Sequence, residues 1–118
     1  MKKLIILLYF MSFSVTAGTL TCAGTVEQIG LHATDSLMVR LSSMNAAVFV
    51  CNPNTNWVVT GTPYQTGAET CKTMMSMFMM AKATGKSVGT VWFDGDDVPQ
   101  DCSSWGAWKK ANVRHFLY

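Results

Sequence analysis

The chain has 118 residues, enough for one small domain once an N-terminal leader is set aside. It carries nine Lys plus Arg against seven Asp plus Glu, and two of the nine, Lys2 and Lys3, fall in that leader, so the remainder balances at seven against seven. A neutral domain has no electrostatic footprint for nucleic acid or an anionic lipid surface, and neither is expected as a partner.

Lys2-Lys3, the apolar run from Leu4 to Phe13 and the small-residue junction Val15-Thr16-Ala17 have the order of a cleavable signal peptide. The run is too short for a permanent membrane span. Cleavage is expected after Ala17, so residues 1–17 form the leader and residues 18–118 one exported domain, periplasmic or secreted.

The segment from Leu20 to Leu31, rich in Thr, Val and Ile and interrupted by Gly24 and Gly30, changes the parity of its apolar positions and predicts a long bent strand with a bulge. Leu37, Val39 and Leu41 alternate with Met38 and Arg40, the period of a strand with one buried face. Ala46 to Cys51 predicts a third, well-buried strand, and Trp57 to Thr60 a short extra one after an Asn-rich loop. Thr66 and Glu69 have the spacing of a capping box, in which the threonine hydroxyl takes a free helix amide and the glutamate reaches back to the cap. A helix is predicted from Gly67 to Thr84, ended by Gly85 in a left-handed C-cap. Strands at Ser87 to Phe93 and Ala111 to Tyr118 follow, separated by a long loop.

Three strands, a helix and two strands in so short a chain predict a mainly β fold with one helix, arranged as a five-stranded Greek-key barrel of the OB type. The alternative is an open antiparallel α+β sheet. The four cysteines, Cys22, Cys51, Cys71 and Cys102, form an even set without a C-x-x-C pair, which predicts two disulfides and no metal or redox cofactor. In the barrel the helix caps the end where the first strand begins, so the expected bridges are Cys22–Cys71 and Cys51–Cys102.

Candidate functional residues are few. Trp57, Trp105 and Trp108 lie in or beside loops with Asn54, Asn56, Ser and Gly, and rigid aromatic faces next to amides suit a sugar or protein ligand. Trp92 lies within a strand and is assigned to the core. Met74, Met75, Met77, Met79 and Met80 leave the helix apolar on every side, which suits a subunit or partner interface. No local motif suggests a Ser or Cys nucleophile for His32 or His115, the cysteines are committed to disulfides, and the spacing of Asp94, Asp96, Asp97 and Asp101 is not that of an EF-hand. No catalytic set emerges, so a non-enzymatic binding module is expected.

The layout, with a strand ending in Cys51, a helix finishing in Ala-Lys-Ala-Thr-Gly-Lys (residues 81–86), a strand directly after it, the late Cys102 and a terminal aromatic strand, resembles small bacterial exported domains similar to the subtilase cytotoxin B subunit and other pertussis-like toxin B subunits. That resemblance implies an OB-fold, a homo-oligomer that uses the helix, and recognition of cell-surface glycans. No sugar-binding residue of that family is carried onto a position here.

Overall fold

A computed structural model describes residues 18–118, so the predicted leader lies outside the described residues. The elements in chain order are β1 (Gly18–Gly24), β2 (Val26–Leu31), β3 (Leu37–Leu41), β4 (Val48–Cys51), β5 (Trp57–Val58), β6 (Gln65–Thr66), α1 (Ala68–Thr84), β7 (Val88–Gly95) and β8 (Asn112–Leu117). They form antiparallel sheets in the orders β1-β7-β8 and β2-β3-β4, with a small β5-β6 ribbon.

The long bent first strand is present as β1 and β2, which serve different sheets. Gly24 stands at the break with φ 133°, a conformation costly for any residue with a Cβ, and a Cβ there would collide with Ser42 Oγ. That hydroxyl accepts the Thr25 N–H at 3.0 Å, which fixes the bend against the turn after β3. A register shift between Val26 and Gln28 falls where the apolar positions change parity and marks the expected bulge, and a second shift lies between Cys22 and Gly24.

β3 follows its alternation, with Leu37, Val39 and Leu41 fully buried, and β4 is buried along its whole length. These side chains meet Phe78 of α1 and Val88, Val91 and Phe93 of β7 in one core. Asp94 is buried beside it, where Arg114 donates from Nε and Nη2 at 2.9 Å and the Trp92 indole donates at 3.0 Å. Trp92 is therefore half-buried rather than a core residue: Arg114 covers its ring at 4.7 Å and Tyr64 flanks the guanidinium at 4.6 Å.

The sheets are open, and the closed five-stranded barrel does not form. β4 approaches the start of β8 only where Phe49 bridges to Lys110 in a parallel sense, with Phe49 N–H donating to Lys109 O and Ala111 N–H to Phe49 O, both at 2.9 Å. The Ala111 carbonyl, which the next bond of that ladder would use, instead accepts the Trp57 indole N–H at 2.9 Å. The β5-β6 ribbon thus takes the place of continued pairing.

The helix begins and ends near its expected bounds, and Gly85 has φ 68° as the C-cap. The capping box is absent. The N-cap is Gly67, which has no side chain to cap with, and Thr66, one residue earlier, has its Oγ1 turned inward to donate to the buried Asn112 Oδ1 at 2.7 Å. Glu69 pairs with Lys72 at 3.1 Å instead. The disulfides also differ from the expected pairing: they are Cys22–Cys102 and Cys51–Cys71, with Cα separations of 5.9 and 5.6 Å. The first turn of α1 packs under the end of β4 rather than beneath β1, and the loop after β7 returns across β1. Among the described residues no helix is long and apolar enough to cross a membrane.

Candidate functional site

One cleft, about 650 Å³ in volume, opens where the β2–β3 turn, the β4–β5 loop and the last part of the β7–β8 loop converge. The Phe49–Lys110 bridge brings these segments together. Phe49 and Trp108 stack with centroids 5.8 Å apart and an interplanar angle of 27°, and the His32 ring meets each edge-on at 5.5 Å. The three rings form one aromatic wall.

Trp108 is the outermost of them, 64% exposed, and its backbone has φ 59°. A bulky residue in the left-handed region is strained by about 1 kcal/mol or more, and such strain collects at functional positions. Burial does not explain its placement.

The rest of the lining is polar and is bonded to the same histidine. His32 Nδ1 accepts the Thr34 N–H at 3.2 Å, so in the neutral ring the proton sits on Nε2. Thr34 and Ser36 exchange a hydroxyl hydrogen bond at 3.2 Å, and Asn52 Nδ2 donates to Thr34 O at 3.4 Å. Asn56 donates to Gln65 Oε1 at the far end. Lys110 lines the cleft with its ammonium 5.6 Å from the Trp57 ring centroid, and no carboxylate lines it. The surface therefore combines flat apolar faces, neutral hydroxyls and amides, and one cation.

Of the residues expected to bind ligand, the fold brings Trp57, Asn56 and Trp108 together here. Trp57 contributes a largely buried floor, since its N–H is already spent on Ala111 O. Trp105 does not take part: it is 3% exposed and packs edge-on against Phe93 at 5.2 Å, while Asn45 clamps its backbone N–H and C=O, each at 2.7 Å. Asn54 is exposed outside the cleft, with its N–H held by Asn52 Oδ1 at 2.8 Å. His32, Phe49 and Lys110 were not foreseen as site residues. No local motif marks them, because they meet only through the turn and the single parallel bridge.

No protein-family model matches the chain, and no curated protein or solved structure is significantly similar to it.

The methionine helix is less uniform than its sequence. Met74 is buried with Cys71, Phe78 and Ala81, Met75 and Met77 are half-buried, and Met79 and Met80 face outward. An apolar groove of about 490 Å³ runs between α1 and β2, and one of mixed lining, with Glu69, Arg114 and His115 beside Met74, Met77 and Phe116, fills about 360 Å³ between α1 and β8. Elsewhere the polar chemistry is local. Hydrogen bonds from the Ser103 hydroxyl, the Ser103 N–H and the Ser104 hydroxyl hold the exposed Asp101 carboxyl below its usual range. Among the described residues no three His, Cys, Asp or Glu side chains are grouped to hold a metal ion.

Proposed function

We propose that this chain is an exported, non-enzymatic binding module that holds a glycan in the cleft beside Trp108. The observation that carries the reading is the exposed, strained indole stacked on Phe49 and faced by hydroxyls and amides. A sugar ring offers a C–H face that packs on an aromatic plane, and its hydroxyls need short neutral donors and acceptors around it. Both are supplied within one cleft, where the Thr34 hydroxyl is bonded to His32 Nδ1 at 3.0 Å and to the Ser36 hydroxyl at 3.2 Å.

Export is supported by the leader pattern and by two disulfides, which persist in oxidising compartments. The resemblance to toxin B subunits supports the same reading, with the two three-stranded sheets and single helix taken as an opened form of the OB barrel. A second reading, a periplasmic domain that docks a protein partner through its helix, is favoured by the outward-facing Met79 and Met80.

The test is a tryptophan-fluorescence and thermal-shift titration against sialylated, galactosylated and bacterial sugars. Trp108→Ala is expected to weaken the best ligand at least about 30-fold, roughly 2 kcal/mol, without lowering the melting temperature much. No response across the panel by the native protein would overturn the glycan reading.

A further inference from the structure

The sheet that carries the aromatic wall has a second hollow on the same side. Gly30, Met38 and Phe49 are cross-strand partners in β2, β3 and β4, so the three positions share one face. His32 and Phe49 line the cleft, and two residues earlier on the same segments Gly30 and Ala47 join Met38 in lining a hollow of about 390 Å³. The wall of His32, Phe49 and Trp108 thus stands at the end of the cleft that adjoins this hollow. From His32 to Gln28, which also lines the hollow, the chain covers about 13 Å at roughly 3.3 Å per residue, longer than one sugar ring.

Gly30 keeps the hollow open. It has no positive φ, and a Cβ built on it would meet nothing within 4 Å, so neither its backbone conformation nor its packing requires glycine. Glycine inside a strand weakens it, and one use of that weakness is to let another molecule come close. The other common use is a bulge, but the register shift of β2 lies earlier, between Val26 and Gln28. The polar groups around the hollow are held in place. Arg40 donates from Nε to Gln28 Oε1 at 3.2 Å and from Nη1 to Met44 O at 3.3 Å, and Lys82 Nζ donates to Glu27 O at 3.1 Å. These bonds leave the Gln28 amide nitrogen and the rest of the Lys82 ammonium to donate, and the Glu27 carboxylate to accept.

We propose that the cleft and this hollow form one track for an unbranched, neutral oligosaccharide, with one sugar stacked on Trp108 and the next units laid over Met38 and Gly30 towards Gln28. The proposal rests on the glycan reading of the cleft and adds the length and charge of the glycan to it. Gly30 sets the length, because a side chain there would stand in the path of the second and later units. Glu27 sets the charge, because its carboxylate accepts from hydroxyls and opposes an acidic sugar at that end.

Titration calorimetry on the disulfide-intact protein tests this with maltose, cellulose, chitin and galactan oligomers, each series running from the single sugar to the hexamer. In at least one series affinity is expected to rise at least about 10-fold with chain length and then level off. Gly30→Val is expected to keep the native circular dichroism and melting temperature, since valine suits a strand and its Cβ meets nothing there. It should bind the single sugar as the native protein does and lose the gain with length, and Gln28→Ala should lose part of that gain. Oligomers that bind no tighter than the single sugar overturn the proposal, as does a Gly30→Val protein that keeps the full gain or a response confined to acidic sugars. In each of those cases the glycan reading stands. Silence towards every sugar, short or long, neutral or acidic, removes that reading as well.

Discussion

The cleft and the helix flanks are both exposed, yet they are built on opposite plans. The cleft sets three rings against hydroxyls and amides and places Trp108 in a strained backbone conformation. The flanks run beside β2 and β8 with the C-capped helix between them, the first lined mainly by apolar side chains and the second by Glu69, Arg114 and His115 as well as methionines. Strain and mixed polarity suit a small, oriented ligand, whereas flexible methionines beside free backbone groups suit a large partner surface. One disulfide serves each plan: Cys22–Cys102 ties the loop that leads to Trp108 onto β1, and Cys51–Cys71 ties the start of the helix to β4.

The largest expected effect comes from cutting these ties separately. The bridges close intervals of 80 and 20 residues. On the chain-entropy account their loss costs about 4.5 and about 3 kcal/mol respectively. Replacing Cys22 and Cys102 with Ser should therefore lower the urea midpoint more than replacing Cys51 and Cys71. It should also be the change that weakens ligand binding in the cleft. Mild thiol treatment followed by mass spectrometry is expected to open Cys22–Cys102 first, because Cys102 is half-exposed while Cys51 and Cys71 are wholly buried. Equal reduction of both bridges would remove the distinction between the two regions.

A smaller effect is expected at the root of the helix. Thr66→Val leaves the buried Asn112 Oδ1 without its hydroxyl donor and should cost about 1–3 kcal/mol by denaturant unfolding. Thr66→Ser should restore most of that stability. If Val were tolerated, the inward turn of Thr66 would not explain the missing capping box.

The smallest change in stability is expected at Trp108. Trp108→Gly relieves the left-handed strain while removing the stack on Phe49, so unfolding free energy should move by less than about 1 kcal/mol in either direction. Ligand binding should nonetheless be lost. A large destabilisation would mean that Trp108 is placed for packing, and the contrast between cleft and flanks would fail.

Much of this architecture is legible locally. The alternation of Leu37, Val39 and Leu41 shows a one-sided strand, and Gly85 shows where the helix stops. The three tryptophans in loops were alike in sequence, yet one is a wall, one a floor and one a core residue. The difference lies in what crosses them: Asn45 draws Trp105 inward, Ala111 O holds Trp57, and nothing covers Trp108. His32, Phe49 and Lys110 were silent because a binding wall made from three distant segments has no period or spacing to read.

Side-chain pattern along the chain was thus sufficient for the mainly β content, the single helix with its bounds, and the presence of two disulfides, since each follows from neighbours a few residues apart or from cysteine parity. Which sulfurs pair, whether the sheets close, and which aromatics meet depended on contacts between distant segments, among them the Trp57–Ala111 bond and the seating of the helix start against β4. Those outcomes turn on hydrogen-bond partners brought together across long stretches of chain, and only the folded arrangement could decide them.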